Sequence, residues 1–369
     1  MSEKTPRDLL LDGDARSPLP KLEGRPRRLV RDPFDATPDP EDPWLAALEQ
    51  VRGRLGPEAP RKPAEAASSM LSRRRLAQVA AEELPEGWLA LLGEAERRRL
   101  AAMQDWVEAG VATDPLGLSP AWVRRAFPFF FALHRLYFRV SGEGRRHIPA
   151  EGPAVLVANH GGVLPFDGAM LVMDVLLHSD PPRLPRALVD RFVGRLPWLR
   201  EAFPRVGQVV GTRESFRRLL AAGELVLVFP EGTPGIAKPL PRRHRLERFH
   251  PGFVQEALRA RVPVIPVAIV GADRQQPVLT DLRPLARVLG LPFFPVTPTF
   301  PWLGPLGLLP LPVHYHLVYG EPLRFYERHG PEAADDRQLT ERLATRVRCA
   351  LQRILDRHRG RHRTGSQAR

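Results

Sequence analysis

From Pro120 onward, short runs of aliphatic residues alternate with longer stretches whose apolar positions recur every three or four residues. The short runs are AVLVA (154–158), RALVD (186–190), QVV (208–210), ELVLVF (224–229) and PVIPVAIV (263–270). They are apolar at successive positions, as strands buried on both faces are, while the stretches 168–177, 214–222 and 253–260 between them read as helices. This alternation predicts an α/β fold, a mixed sheet covered by helices. A last strand, VHYHLVYG (313–320), precedes a closing amphipathic helix over 336–358. At the front, Ser119 is placed to cap a helix running through WVRRAFPFFFALHRLYFRV and kinked by Pro128.

The chain ahead of this body is different. Residues 1–69 are rich in proline and charge and predict a flexible leader. Between 70 and 119, Leu71, Leu76, Val79, Trp88, Leu92, Leu100, Met103 and Val107 fall at helix-like spacing, interrupted by Pro85-Glu86-Gly87. The N-terminal extension is therefore expected to be mostly helical or disordered, with one catalytic domain over 120–360 and a basic tail over 361–369. Three consecutive leucines near the N-terminus fall short of the roughly 7–15 apolar residues of a secretory signal, so no such signal is expected.

One stretch breaks the rhythm. Residues 288–313 form 26 residues without an acid, lysine or arginine, and seven of them are prolines. Prolines at that density remove too many backbone donors for a helix in hydrocarbon, so a buried or bilayer-dipping apolar loop is expected. Such a loop either packs on the core or offers a wall to a fatty chain or a membrane.

Composition narrows the function classes. With 43% hydrophobic and 26% charged residues the chain is not wholly disordered, and its single cysteine, Cys349, excludes an intramolecular disulfide framework and a Cys-rich zinc site. A reducing, cytosol-facing setting is the default. Lysine and arginine number 55 against 42 acids, a formal charge of +13, and from Arg342 to Arg369 nine arginines face one acid, Asp356. That field suits nucleic acid, an anionic bilayer or an anionic substrate, and does not choose among them.

The candidate chemistry lies at strand ends. AVLVA runs directly into Asn159-His160-Gly161-Gly162, with Pro165 and Asp167 following. Gly161 and Gly162 permit a sharp turn, and Pro165 suits the first turn of a helix, so Asp167 is aimed back at the imidazole. An imidazole so oriented takes a proton from a hydroxyl, and the carboxylate holds its tautomer. A second segment, Phe229-Pro230-Glu231-Gly232-Thr233, follows a strand; its amides suit an anionic oxygen, and Glu231 is a hydrogen-bond acceptor for a polyol. A third, Gly207 to Arg213, ends in an arginine suited to phosphate. A fourth, Val262 to Val267, is mostly structural.

In this order the four segments resemble the blocks of the glycerolipid acyltransferases typified by lysophosphatidic acid acyltransferases: His-x4-Asp, Gly-x-x-Phe-Ile-x-Arg, Phe-Pro-Glu-Gly-Thr-Arg and Val-Pro-Ile-Ile-Pro-Val. The resemblance covers roughly 120–330. It implies a glycerolipid acyltransferase-like fold and transfer of an acyl group, from acyl-CoA or acyl carrier protein, to the hydroxyl of a lysophospholipid or glycerolipid. His160 would be the base and Asp167 its partner, Arg213, Glu231, Gly232 and Thr233 would bind substrate, and Gly161 and Gly162 are oxyanion candidates. Partners implied are acyl-CoA or acyl carrier protein, a lipid acceptor and an anionic membrane surface, with no nucleic acid. The protein would sit peripherally on the cytoplasmic face of a membrane, held by the basic tail and the apolar loop.

Two departures from those blocks stand out. Six residues, not four, separate His160 from Asp167, a spacing that resembles the divergent diacylglycerol-acyltransferase-like branch. Pro234 stands where an arginine follows Glu-Gly-Thr, with Lys238, Arg242, Arg243 and Arg245 nearby as possible replacements. No tightly bound cofactor and no metal is implied: His314 and His316 share one side of a predicted strand, but no third ligand is near in sequence. A thioesterase or hydrolase is one alternative, although no Gly-x-Ser-x-Gly elbow occurs. A non-catalytic membrane- or nucleic-acid-binding protein on the same fold is the other.

Overall fold

The computed structural model describes residues 93–94, 96–99, 101, 114–191, 197–236, 238–289 and 293–364. The expected leader (1–69), most of the expected helical segment (70–119) and the tail after Thr364 lie outside the described residues. Within that segment, residues 94, 96–99 and 101 are helical.

Helix α1 (Pro120–Ala132) opens the body, followed by strands β1 (Ser141–Glu143) and β2 (Ala154–Ala158) and helix α2 (Phe166–His178). Next come β3 (Arg186–Val189), α3 (Pro197–Arg205), β4 (Val209–Val210), α4 (Arg213–Ala221), β5 (Leu225–Val228), α5 (Gly252–Arg259) and β6 (Val264–Val270). A small hairpin of β7 (Thr280–Asp281) and β8 (Pro295–Val296) encloses α6 (Arg283–Leu289). Strand β9 (His316–Tyr319) and helix α7 (Arg337–Thr364) finish the chain.

Seven strands form one mixed sheet in the order β1-β9-β6-β2-β5-β3-β4. Strands β6, β2, β5, β3 and β4 are parallel neighbours, whereas β9 runs antiparallel to β6 and carries β1 parallel to itself. Successive side chains alternate between two cores. Val155, Val157, Val226 and Val228 pack with Phe216, Phe253 and Leu351 under α4, α5 and α7. Leu156, Ala158, Leu225 and Leu227 pack with Met170, Leu171 and Val175 of α2 on the other face. Apolar on both faces, β2 and β5 are central, and their carboxyl ends open at one edge of the sheet, where ligands of such folds bind.

Three details depart from the expected elements. Strand β1, a polar Ser-Gly-Glu, forms because β9 offers it a partner, Ser141 pairing with His316 and Glu143 with Val318. Ser119 holds the N-cap position of α1 in extended backbone, but its side chain makes no cap hydrogen bond. Pro128 lies inside α1, which passes into a π-turn over Leu133–Tyr137. The stretch 288–313 contributes β8 and a 3-10 turn at Gly304–Leu308, with Trp302, Leu303, Leu306 and Leu309 exposed. Among the described residues no helix is long and apolar enough to cross a membrane.

Helix α2 matters most for the site because Asp167 is in its first turn, and a buried polar network fixes it. Asp174 receives Arg145 at 2.6 and 3.0 Å, the Tyr319 hydroxyl at 2.9 Å and His134 Nε2 at 3.3 Å. Burial pushes its carboxyl up, but hydrogen bonds from His134, His178 and Arg145 outweigh that and hold it well below the usual carboxylate range. Its contribution is therefore full above the ordinary aspartate range and is lost as pH falls through the depressed value. Arg99 adds hydrogen bonds to the carbonyls of Leu176 (3.1 Å) and Ser179 (2.7 Å) at the other end. Asp174→Ala leaves Arg145, His134 and Tyr319 without that acceptor and is expected to cost about 3–5 kcal/mol by denaturant unfolding at neutral pH. A loss under about 1 kcal/mol would show that apolar packing alone holds α2.

Candidate active site

The β2 strand ends at Ala158, and the next two residues set the site. Asn159 is buried and bridges to β6, donating to the Ile269 carbonyl (3.1 Å) and accepting from the Ile269 amide (2.8 Å). This side-chain substitute for strand pairing ends β2 and delivers His160 at the sheet edge.

His160 Nδ1 lies 2.6 Å from Asp167 Oδ2, and Asp167 is fully buried. The same Oδ2 accepts the Gly161 amide (2.9 Å), and Oδ1 accepts the Gly168 amide (2.7 Å). An acceptor so engaged places the proton on His160 Nδ1 and leaves Nε2 with a lone pair. Six intervening residues thus close into a turn that carries the imidazole back over the helix N-terminus. Gly162 leaves room for Gln275: a Cβ on it would lie 1.4 Å from Gln275 Nε2 and would displace that amide. Gln276 accepts the Leu164 amide (3.0 Å), pinning the far side of the turn.

The Phe229–Thr233 segment meets this turn from β5. The Phe229 ring stacks on the His160 imidazole with centroids 4.5 Å apart, and Gly168 lets α2 approach, since a Cβ there would sit 3.3 Å from Phe229. Glu231 is buried; Oε1 accepts the His160 amide (3.3 Å), while Oε2 accepts Lys238 Nζ (2.5 Å) and the Glu247 amide (2.7 Å). Gly232 turns with φ +60°, and Thr233 begins a single helical turn to Ile236.

The expected residues therefore divide. His160, Asp167, Gly161, Gly162, Glu231, Gly232 and Thr233 meet at one edge of the sheet. Glu231, read from sequence as a polyol acceptor, instead has both oxygens on protein donors, because a desolvated carboxylate is stable only when satisfied. Lys238, read as a stand-in for the missing arginine, is its buried counter-ion. The Gly161 amide, an oxyanion candidate, donates to Asp167, while the Gly162 amide is not tied to that carboxylate. Arg213 opens α4 after the Thr212 cap and faces Glu256 of α5 at 3.7 Å, in a group with Arg217 and Arg259. Gln275 and Gln276 were not legible in the sequence, and Phe229, which lies in a candidate segment, had no role assigned to its ring, since stacking and long-range amide contacts leave no spacing signal.

A family model described as Acyltransferase matches residues 139–270. An uncharacterized protein of Mycobacterium tuberculosis is 42% identical over 251 residues, spanning 66% of this chain and 68% of its own. The human protein named DGAT1/2-independent enzyme synthesizing storage lipids is 26% identical over 216 residues, 58% of this chain and 60% of that one. The crystal structure of the 1-acyl-sn-glycerophosphate (LPA) acyltransferase PlsC of Thermotoga maritima covers 73% of this chain and 84% of its own at 17% identity, with a TM-score of 0.41, a likeness too loose to carry weight. The chain belongs to the acyltransferase family.

The site geometry makes a spectroscopic prediction. Nitrogen-15 NMR should find the neutral His160 ring protonated at Nδ1, its signals assigned by comparison with H160Q. In Asp167→Asn the Nδ1 tautomer should lose its dominance while the fold is kept. An Nε2-protonated ring in the wild type would contradict the assignment.

Proposed function

We infer that the protein transfers a fatty acyl group from an acyl thioester, acyl-CoA or acyl carrier protein, to a glycerolipid hydroxyl. The observation that carries this reading is the 2.6 Å His160–Asp167 pair at the carboxyl end of β2, with Nε2 left as the ring's basic nitrogen. His160 Nε2 takes the proton of the acceptor hydroxyl as its oxygen attacks the thioester carbonyl. The tetrahedral intermediate then collapses, the carbon–sulfur bond breaks, and the thiolate leaves with the proton from the imidazolium. Asp167 orients the ring and stabilises its charged form; the Gly162 amide is the candidate donor to the oxyanion. Glu231 acts at one remove, holding the His160 backbone.

The acceptor we favour is a neutral glycerolipid. Pro234 stands where the lysophosphatidic acid enzymes carry an arginine, Lys238 serves Glu231, and Arg213 is engaged with Glu256. The name of the human relative, an enzyme synthesizing storage lipids, agrees with this choice.

Thiol release from long-chain acyl-CoA tests both parts. Release should depend on monoacylglycerol or diacylglycerol more than on lysophosphatidic acid, and His160→Ala should lower it by about 10²–10⁴-fold while the protein stays folded. Full activity in H160A would end the mechanism; preference for lysophosphatidic acid would move the assignment to a phosphate-bearing acceptor; release without any acceptor would indicate a thioesterase.

The lipid would be met at an apolar surface. Trp302 and Leu306 are 73% and 70% exposed, and the Tyr137 hydroxyl donates to the Pro310 carbonyl (2.6 Å), joining this loop to exposed Leu136 in the π-turn that follows α1. Flotation with anionic liposomes is expected for the wild type. It should fall at least several-fold in a Trp302→Glu, Leu306→Glu variant; equal flotation of the two would remove this loop from membrane contact.

A further inference from the structure

Three ionisable side chains from distant parts of the chain meet on the sheet edge away from β4. Glu143 lies on β1, His316 on β9 and His358 on α7, and one ligand atom from each falls within 4.8 Å of the others. The register explains the meeting. Ser141 pairs with His316 and Glu143 with Val318, so these residues share one face of the sheet. Val318 packs in the core cluster that α7 covers, and that places His358 against the same face.

The surrounding hydrogen bonds prepare the two imidazoles as ligands. His358 Nδ1 is 2.9 Å from the Ile354 carbonyl, which can only accept, so Nδ1 carries the proton and Nε2 is directed at Glu143 Oε1, 2.6 Å away. His316 Nδ1 is 2.8 Å from Ser141 Oγ, whose own proton is aimed at the Tyr315 carbonyl (3.5 Å). A ring nitrogen held by a carbonyl or hydroxyl, which leaves the other nitrogen for the ion, is the usual outer arrangement of a metal-bound histidine. An ion pair between His358 and Glu143 would need no second imidazole, yet the His316 and His358 rings stand 5.7 Å apart.

We propose that Glu143, His316 and His358 form a divalent transition-metal site, taking Zn²⁺, that fastens the C-terminal helix to the sheet edge. Two nitrogens and one carboxylate oxygen make a ligand set of borderline softness suited to zinc. Zinc bonds of about 2.0–2.2 Å imply ligand atoms roughly 3.3 Å apart, so the Glu143–His358 pair opens and the third ligand closes by up to about 1.5 Å. Glu143 is half exposed, which leaves a path for the ion and room for water as a fourth ligand. His314, whose Nε2 is 3.1 Å from Ser141 Oγ, stands beside the site.

The test uses untagged full-length protein stripped with chelator and titrated calorimetrically with Zn²⁺, with Co²⁺ as a spectroscopic substitute. The proposal expects one Zn²⁺ per chain, visible d–d bands of four-coordinate Co²⁺, and a rise in melting temperature with Zn²⁺. Glu143→Gln and His316→Gln should each weaken binding by more than about tenfold and abolish that rise, without changing the metal-free melting temperature by much. Absence of stoichiometric binding in the wild type, or unchanged binding in both variants, would overturn it. Should H316Q fail to fold, E143Q, at a half-exposed position, decides alone.

Discussion

A buried carboxylate governs the active-site edge of this protein. Asp167 has no contact with water and three donors: the His160 ring, the Gly161 amide and the Gly168 amide. Removing a charge from water is so costly that all three bonds must form together. That requirement dictates the backbone between the end of β2 and the start of α2, and with it the position of the imidazole. The longer spacing between His160 and Asp167 is accommodated because the two glycines allow a tight turn and because Gln275 and Gln276 brace its outer side.

The same logic recurs one strand away. Glu231, fully engaged by Lys238 and two backbone amides, ties the loop after β5 to the loop after β2. Phe229 then closes the gap by stacking on His160. Behind both loops, Asp174 locks α2 to Arg145 and Tyr319. The reactive group is thus held by buried polar contacts at the rim of a sheet whose two faces are apolar, a rigid support of the kind preorganised chemistry needs.

Much of this was legible along the chain, and for physical reasons. Strands β2, β5 and β6 fall within the apolar runs that predicted them, since a strand buried on both faces must be continuously apolar. The pairing of His160 with Asp167 was legible because turn and helix-start residues lie between them. Strand β1 was not, because Ser-Gly-Glu has no strand preference and forms only when β9 is beside it. The density of prolines in the stretch 288–313 already argued against a spanning helix, while its exposed face, with Trp302 and Leu306 outward, is set by tertiary packing.

The sequence by itself determined the layered α/β plan, the order of the strand-end motifs and the residues available for proton transfer, because periodicity and local turn chemistry act over a few residues. Only the tertiary structure decided which charges are satisfied by which partners. It turned Glu231 and Lys238 into an internal brace, placed Arg213 against Glu256, and brought Glu143 and His358 to His316 across 215 residues of chain. Such meetings are set by strand register and helix docking over long separations, and no spacing in the sequence encodes them.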